Sequence, residues 1–473
     1  MKDPKLQSEP ASPYEWDGTN IAVAVRDGGG YVYRPNQVLA RGAGAAAFVR
    51  SVTGAAAEPR TLGDAIRDRL DVDELPREFA GAAILEEWHL IDQVGDVVGV
   101  VNAATSAGFA VRPNHVLFAD NAGCGCPCPP HPALANDLDG LVGNPLKANP
   151  LKANPLKANP LKANPLKANP LKANSLTENK PPVSSAFPAA APVMAAVNLP
   201  AITPGARVVI FDSGLAAGQH RPGALAAAVV EFEEVDEPDT VTAPGDGYLD
   251  PVAGHGTFIA GIVEQHCPGT SFACHKVLGP LGDVDEAALT FALWVRLVSD
   301  YLAGNAGTWS STIFNISIGG YLRTDDGLLA ETLGLIHSLG IVVVASAGNL
   351  GDCRPAYPAA FPTVIGVGAL GPTGPAEFSN YGPWVDACAP GTDLESAFFQ
   401  GFNGSNDPVN GVDIDDFDGW AVWSGTSFAA PMVVAALIRE MRIRDLNGRQ
   451  AVEHLIDGPG RTRIPNLGTV VVT

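Results

Sequence analysis

Three short segments of this 473-residue chain carry side chains that, brought together, could do acyl-transfer chemistry. "VVIFDSG" ends an apolar run on Asp212, "GHGTFIAGIV" opens a helical pattern on His255, and "SGTSFAAPMVVAALI" sets Ser427 where a Gly-Thr turn meets another helical pattern. A serine hydroxyl is a poor nucleophile at neutral pH and needs an adjacent base. An imidazole can be that base, and a carboxylate on its other nitrogen fixes the tautomer and stabilises the imidazolium. Singly each segment is weak. Asp-Ser-Gly reads as a turn, a histidine beside glycines as structural, and a serine ahead of a helix as an N-cap. Their joint occurrence, in the order Asp, His, Ser, is a different matter.

Those residues need a scaffold, and the last 270 residues or so supply one. Strand-like runs ("RVVIFDSG", "SFACHKVLG", "STIFNISIGG", "GIVVVASAGN", "TVIGVGAL") alternate with helical ones ("GTFIAGIVEQH", "DEAALTFALWVRLVSDYLAG", "LLAETLGLIHSLG"). Near-continuous apolar strands alternating with helices predict an α/β fold, a parallel sheet covered on both faces. Ligands gather at the carboxyl ends of such strands, where Asp212, Asn315 and Asn349 fall.

The order Asp-His-Ser and the local words "HKVLG", "FNISIGG", "ASAGN" and "FSNYGPWVDACAPG" resemble the subtilisin-like serine proteases, the subtilases, from Arg207 to about Met441. The resemblance implies a three-layer fold and a serine endopeptidase working through an acyl-enzyme, with Asp212, His255 and Ser427 as the triad. It implies an oxyanion hole made by the Asn349 side-chain amide and the Ser427 backbone N–H. It implies that Ser317, Ile318, Gly319 and Gly320 pair with substrate backbone as an added strand. Ala356 would floor the S1 pocket, flanked by Ala347 and Gly348, so an apolar P1 residue is expected. Asp283 and Asp285 read either as a lure for a basic residue upstream or as solvated loop charge. No cofactor is required by this reading.

One stretch departs from the family. "NGSNDPVNGVDIDDFDG" is long and acidic, and Asp413, Asp415, Asp416 and Asp418 are candidate ligands for structural calcium. The spacing fails the EF-hand pattern because Phe417 stands where a fifth ligand belongs. An acidic surface loop is the plainer reading.

Ahead of the protease-like region (204–473) the chain divides into a disordered N-terminus (1–20), a small α+β domain (21–120) and a Pro-rich linker (121–203). The linker repeats "NPLKA" six times between 144 and 173. A five-residue period aligns leucines on no face of a helix, strand or polyproline helix, so the repeat reads as an extended tether. Strands are expected in "GYVYRPNQVLARG", "GAAILEEWHLID" and "FAVRPNHVLFAD", and helices in "LGDAIRDRL" and "VVGVVNAATSAG". Arg34-Pro35-Asn36-Gln37-Val38-Leu39 echoes Arg112-Pro113-Asn114-His115-Val116-Leu117, which suggests a split βαβ, ferredoxin-like plait. Subtilases are commonly made with a propeptide of that form, which implies an intramolecular inhibitor and a zymogen-like chain. An unrelated recognition or adaptor domain is the alternative.

A net charge of −21 repels phosphate backbones and speaks against nucleic acid as a partner. The first twenty residues hold no apolar signal-like run and no stretch is long enough for a membrane span, so a cytoplasmic location is expected. Seven cysteines cannot all pair. Cys124, Cys126 and Cys128 match no ordinary zinc spacing. The expected partner is a protein or peptide substrate. A processing protease dedicated to one partner, or a peptide-binding pseudoprotease, are the competing readings.

Overall fold

A computed structural model describes residues 21–26, 29–54, 60–75, 82–119, 172–173, 206–239, 249–250, 252–279, 282–405 and 414–471. The N-terminus, Asp413, the cysteines of 124–128 and the repeat lie outside these residues. The exception is Lys172–Ala173, which pairs antiparallel with Val422 and Ala421.

The front domain is built on strands β1 (Ala22–Arg26), β2 (Gly29–Arg41), β3 (Arg60–Thr61), β4 (Trp88–Ile91) and β5 (Val111–Ala119). Its helices are α1 (Ala43–Thr53), α2 (Leu62–Leu70), α3 (Ala82–Glu87) and α4 (Val97–Ser106). The strands run antiparallel in the order β5-β2-β4-β3, with α1 and α4 sharing one apolar cluster through Ala45, Val49, Val97 and Val101. Helix α2 starts where a capping box allows. Thr61 Oγ1 accepts from the Asp64 N–H at 3.0 Å, and Asp64 Oδ2 accepts from the Thr61 N–H at 2.9 Å. One expectation needs correction. "GAAILEEWHLID" is half helix, because Ala-Ile-Leu-Glu-Glu are good helix formers and extended backbone begins only at Trp88. The alanine-rich α1 was not anticipated.

The second region forms a ten-stranded sheet. Its elements are β6 (Arg207–Asp212), β7 (Val229–Glu233), α5 (His255–His266), β8 (Ser271–Lys276), β9 (Asp283–Asp285), α6 (Glu286–Leu302), β10 (Thr312–Ile316) and β11 (Ile318–Gly319). There follow α7 (Leu328–Ser338), β12 (Val342–Ser346), β13 (Ile365–Gly371), β14 (Ala387–Pro390), the hairpin β15 (Leu394–Ser405) with β16 (Ile414–Trp423), α8 (Thr426–Arg444), β17 (Arg463–Ile464) and β18 (Gly468–Val470). The main order is β17-β18-β14-β13-β12-β10-β6-β8-β7, parallel from β18 to β7.

Burial on both faces follows from side-chain alternation. Val208 and Ile210 of β6 join the core under α5 and α8, while Val209 and Phe211 join the core under α6 and α7. That second core also contains Leu62, Ile66, Leu85 and Trp88, so the front domain packs directly onto α6 and α7. The Trp88 indole N–H donates to Glu331 Oε2 at 3.1 Å across the same boundary.

His275 on β8 is buried between aromatic rings, with centroids 5.1 Å from Phe211 and 4.7 Å from Phe232. Burial, aided by the Arg296 and Arg69 cations, pushes its pKa down to about 3. The folded protein thus refuses a proton that the unfolded chain accepts below about pH 6.5. This group's contribution is full above that value and is lost as pH falls toward 3, at about 1.4 kcal/mol per pH unit. The His275→Asn variant is expected to show a shallower loss of urea-unfolding free energy between pH 6 and 4. Identical slopes would show that His275 does not titrate in this way.

Candidate active site

The three chemical residues arrive on three elements. Asp212 ends β6, His255 opens α5 and Ser427 sits in the first turn of α8, all 0% exposed. His255 Nδ1 lies 2.6 Å from Asp212 Oδ1, which also accepts the Ser213 N–H at 2.8 Å. Neither His255 Nε2 nor Ser427 Oγ has a hydrogen-bond partner among the described residues. The carboxylate–imidazole contact is therefore formed, while no imidazole–hydroxyl bond is made. Such bonds often tighten only when substrate binds. Phe428, next to Ser427, packs its ring 5.2 Å from that of His255.

Asn349 follows β12 and meets the same helix start. Its Oδ1 accepts from the Thr426 N–H and from Thr426 Oγ1, both at 2.9 Å. These two bonds fix the amide so that Nδ2 is the end turned away from Thr426. Pro431 has no N–H and cannot bond the carbonyl of Ser427, four residues back. Ser317 Oγ donates to that carbonyl instead, at 2.9 Å, and Asn315 Nδ2 in turn donates to Ser317 Oγ at 3.0 Å. The strand expected to hold substrate is thus tied to the backbone of Ser427. Ala347 and Gly348 are anchored by Asn380 Nδ2 and Thr426 Oγ1 respectively. Ala356 lies in an apolar cluster with Tyr321, Leu350 and Trp384. Arg354, missed from the sequence, stacks 4.1 Å over the Tyr321 ring.

The model of the subtilase family matches residues 112–458. The chain belongs to the subtilase family. It is 28% identical over 269 residues to thermitase of Thermoactinomyces vulgaris, covering 54% of this chain and 81% of that one. A thermophilic serine proteinase of Bacillus sp. (strain AK1) is 30% identical over 221 residues, 43% of this chain and 47% of its own length. The M-protease of Shouchella clausii (strain KSM-K16) is 28% identical over 242 residues, 48% and 56% respectively. The chain thus spans about half the length of two of these relatives. A cold-adapted subtilisin-like serine proteinase of known crystal structure is 21% identical, covering 56% of this chain and 87% of its own, with a TM-score of 0.39.

In this subtilase the front domain adds a strand to the protease region. Strand β5 pairs antiparallel with β9 (Phe118 with Asp283, Val116 with Asp285) and with β11 (Ala119 with Ile318, Phe118 with Gly319). The Ala119 N–H also donates to Gly282 O at 2.7 Å. Gly320 allows the approach, since a Cβ there would sit 2.8 Å from the Leu117 side chain. The two echoed segments lie on β2 and β5, neighbouring antiparallel strands, and both reach the acidic start of α6. Asp285 caps α6 with Oδ1, 2.8 Å from the Ala288 N–H, while its Oδ2 takes Arg34 Nε at 3.1 Å. Glu286 Oε1 accepts the Leu329 N–H at 3.3 Å, while its Oε2 lies 2.8 Å from His115 Nδ1. His115 Nε2 accepts the Arg323 N–H at 3.1 Å, which places the imidazole proton on Nδ1. Asn114 Oδ1 accepts from the Ala287 N–H at 3.1 Å.

Asp283 and Asp285 are accordingly not solvated loop charge. Both are buried on a strand. Sequence reading missed Arg34, His115 and Glu286, although the Arg-Pro-Asn echo marked where to look. The acidic departure is also not a loop throughout. Asp415, Asp416 and Asp418 lie on β16 paired with β15, and Asp418 Oδ1 is taken by Gln400. Among the described residues no three His, Cys, Asp or Glu side chains are grouped to hold a metal. Cys267, Cys274, Cys353 and Cys388 are free thiols.

Proposed function

We propose that this chain is a serine endopeptidase acting on protein or peptide substrates, held latent by its front domain. Ser427 attacks the scissile carbonyl, His255 takes the hydroxyl proton and returns it to the leaving amine, and Asp212 holds the imidazole tautomer. The Asn349 Nδ2 and the Ser427 N–H at the start of α8 receive the oxyanion, and water then releases the acyl-enzyme. The observation that carries this reading is the 2.6 Å Asp212–His255 contact, wholly buried beside the first turn that bears Ser427. Latency rests on β5, which pairs with both β9 and β11, the strand the family resemblance gives to substrate. The apolar cluster around Ala356 supports an apolar P1 residue.

A fluorophosphonate probe tests the reading. It is expected to label Ser427, faster after limited proteolysis of the linker than before. No label under either condition would sink the assignment. Equal rates would leave the enzyme and remove the latency.

A further inference from the structure

A second carboxyl group, outside the triad, joins the two turns that carry it. Asp236 follows β7 and is 4% exposed. Its Oδ2 accepts the Gly254 N–H at 2.7 Å and Ser213 Oγ at 2.8 Å. Gly254 precedes His255, and Ser213 follows Asp212. Ser213 Oγ accepts in turn from the Gly256 N–H at 3.0 Å. Asp236 and Ser213 thus hold the backbone on both sides of the catalytic imidazole, and one of their links begins on the residue after the catalytic aspartate. Gly254 can take part because it adopts φ 80°, the left-handed region that a side chain disfavours.

We propose that Asp236 is a positioning residue for hydrolysis, a carboxylate that ties the turn after Asp212 to the turn before His255. The proposal rests on the protease reading above. The surroundings match a group whose charge matters. Lys276 Nζ on β8 lies 3.9 Å from Oδ1. Asp212 and Cys274 interact with Asp236 from β6 and β8. His220, Glu237 and Asp239 line the same cleft. Burial raises its pKa to about 7, against the pull of Lys276 and its two hydrogen bonds. A neutral carboxyl accepts hydrogen bonds more weakly than a carboxylate. The clamp is therefore tight above about pH 7 and slackens below it.

The test is kcat and KM from pH 5.5 to 8.5 for the full-length protein, with active sites counted by fluorophosphonate. At pH 8.5 the wild type is expected to exceed Asp236→Asn in kcat by roughly tenfold, with KM within about twofold. At pH 5.5, where the wild-type Asp236 is as uncharged as the asparagine that replaces it, the two are expected to converge. Lys276→Met removes a cation that lowers the Asp236 pKa, so its drop in kcat moves to higher pH. A ratio of one, or a ratio independent of pH, overturns the proposal even if Asp236→Asn melts earlier, since a merely structural role would leave kcat per labelled site unmoved. If Asp236→Asn does not fold, Lys276→Met decides, and an unshifted profile overturns the proposal. Failure of the wild type to take label would instead remove the protease reading and this proposal with it.

Discussion

The Ser427→Ala protein is expected to take no fluorophosphonate label and to turn over peptide roughly a millionfold more slowly, a magnitude carried over from a subtilisin, while folding like the wild type. The contrast follows from what the hydroxyl does and does not touch. Ser427 Oγ has no hydrogen-bond partner among the described residues, so its removal strands no buried donor or acceptor. The contacts that hold the turn use backbone and neighbours. Ser317 Oγ still reaches the Ser427 carbonyl, and Thr426 still fixes Asn349. Only the nucleophile goes. Melting temperature, labelling and single-turnover hydrolysis measured together would check this. Wild-type turnover by Ser427→Ala would place the nucleophile elsewhere. Asn349→Ala is expected to keep the label but lose about 10²–10³ in turnover, a magnitude carried over from a subtilisin.

Replacing both Arg34 and His115 by Ala is expected to undock the front domain while leaving the catalytic residues in place. Each carboxylate at the start of α6 spends one oxygen within the protease region and gives the other to a front-domain side chain. The Arg34–Asp285 pair is 4% and 5% exposed, and His115–Glu286 is 1% and 2% exposed. Removing one partner of a buried pair costs about 3–5 kcal/mol, because the remaining charge stays desolvated. Here undocking returns the carboxylates to water, so the cost falls on the docked state. One such loss weakens docking by roughly 10²–10⁴. In a Ser427→Ala background, amide exchange at Asp283–Asp285 and Ile318–Gly319 should accelerate by that order. With Ser427 intact, peptide hydrolysis should rise in parallel. Unchanged exchange would mean that strand pairing and the apolar contacts of Leu62, Ile66 and Trp88 hold the domain without the Arg34 and His115 contacts.

Much of the catalytic arrangement is legible in the sequence. Strand runs such as "RVVIFD" bury both faces and so leave an unbroken apolar signal, and Asp212 stands out because it ends one. His255, Asn349 and Ser427 were marked by turn glycines at element boundaries, where the backbone constrains the residue choice. Asp236 was not legible. Its partners are Gly254, Ser213 and Lys276, separated in sequence and joined only when β6, β8 and α5 pack. The roles of Asp285 and Glu286 were hidden for a related reason. An acidic pair before a helix looks like ordinary capping, and only docking of β2 and β5 shows the second oxygen of each to be in use. Helix α3 was misread because "GAAILEEWHLID" has an apolar content that suits either conformation over so short a length.

The pairing of β5 with β9 and β11 has a further consequence for what happens after release. While docked, the outer side of β5 is hidden, because strands of the protease region complete its sheet. Once detached, the front domain carries a raw border of unmatched amides and carbonyls along Val116–Ala119, a form that invites both aggregation and the next protease. Departure would then be close to irreversible, since the freed piece is consumed rather than rebound. Under the proposed latency, activation would behave as a ratchet, driven forward by the poor survival of the front domain on its own.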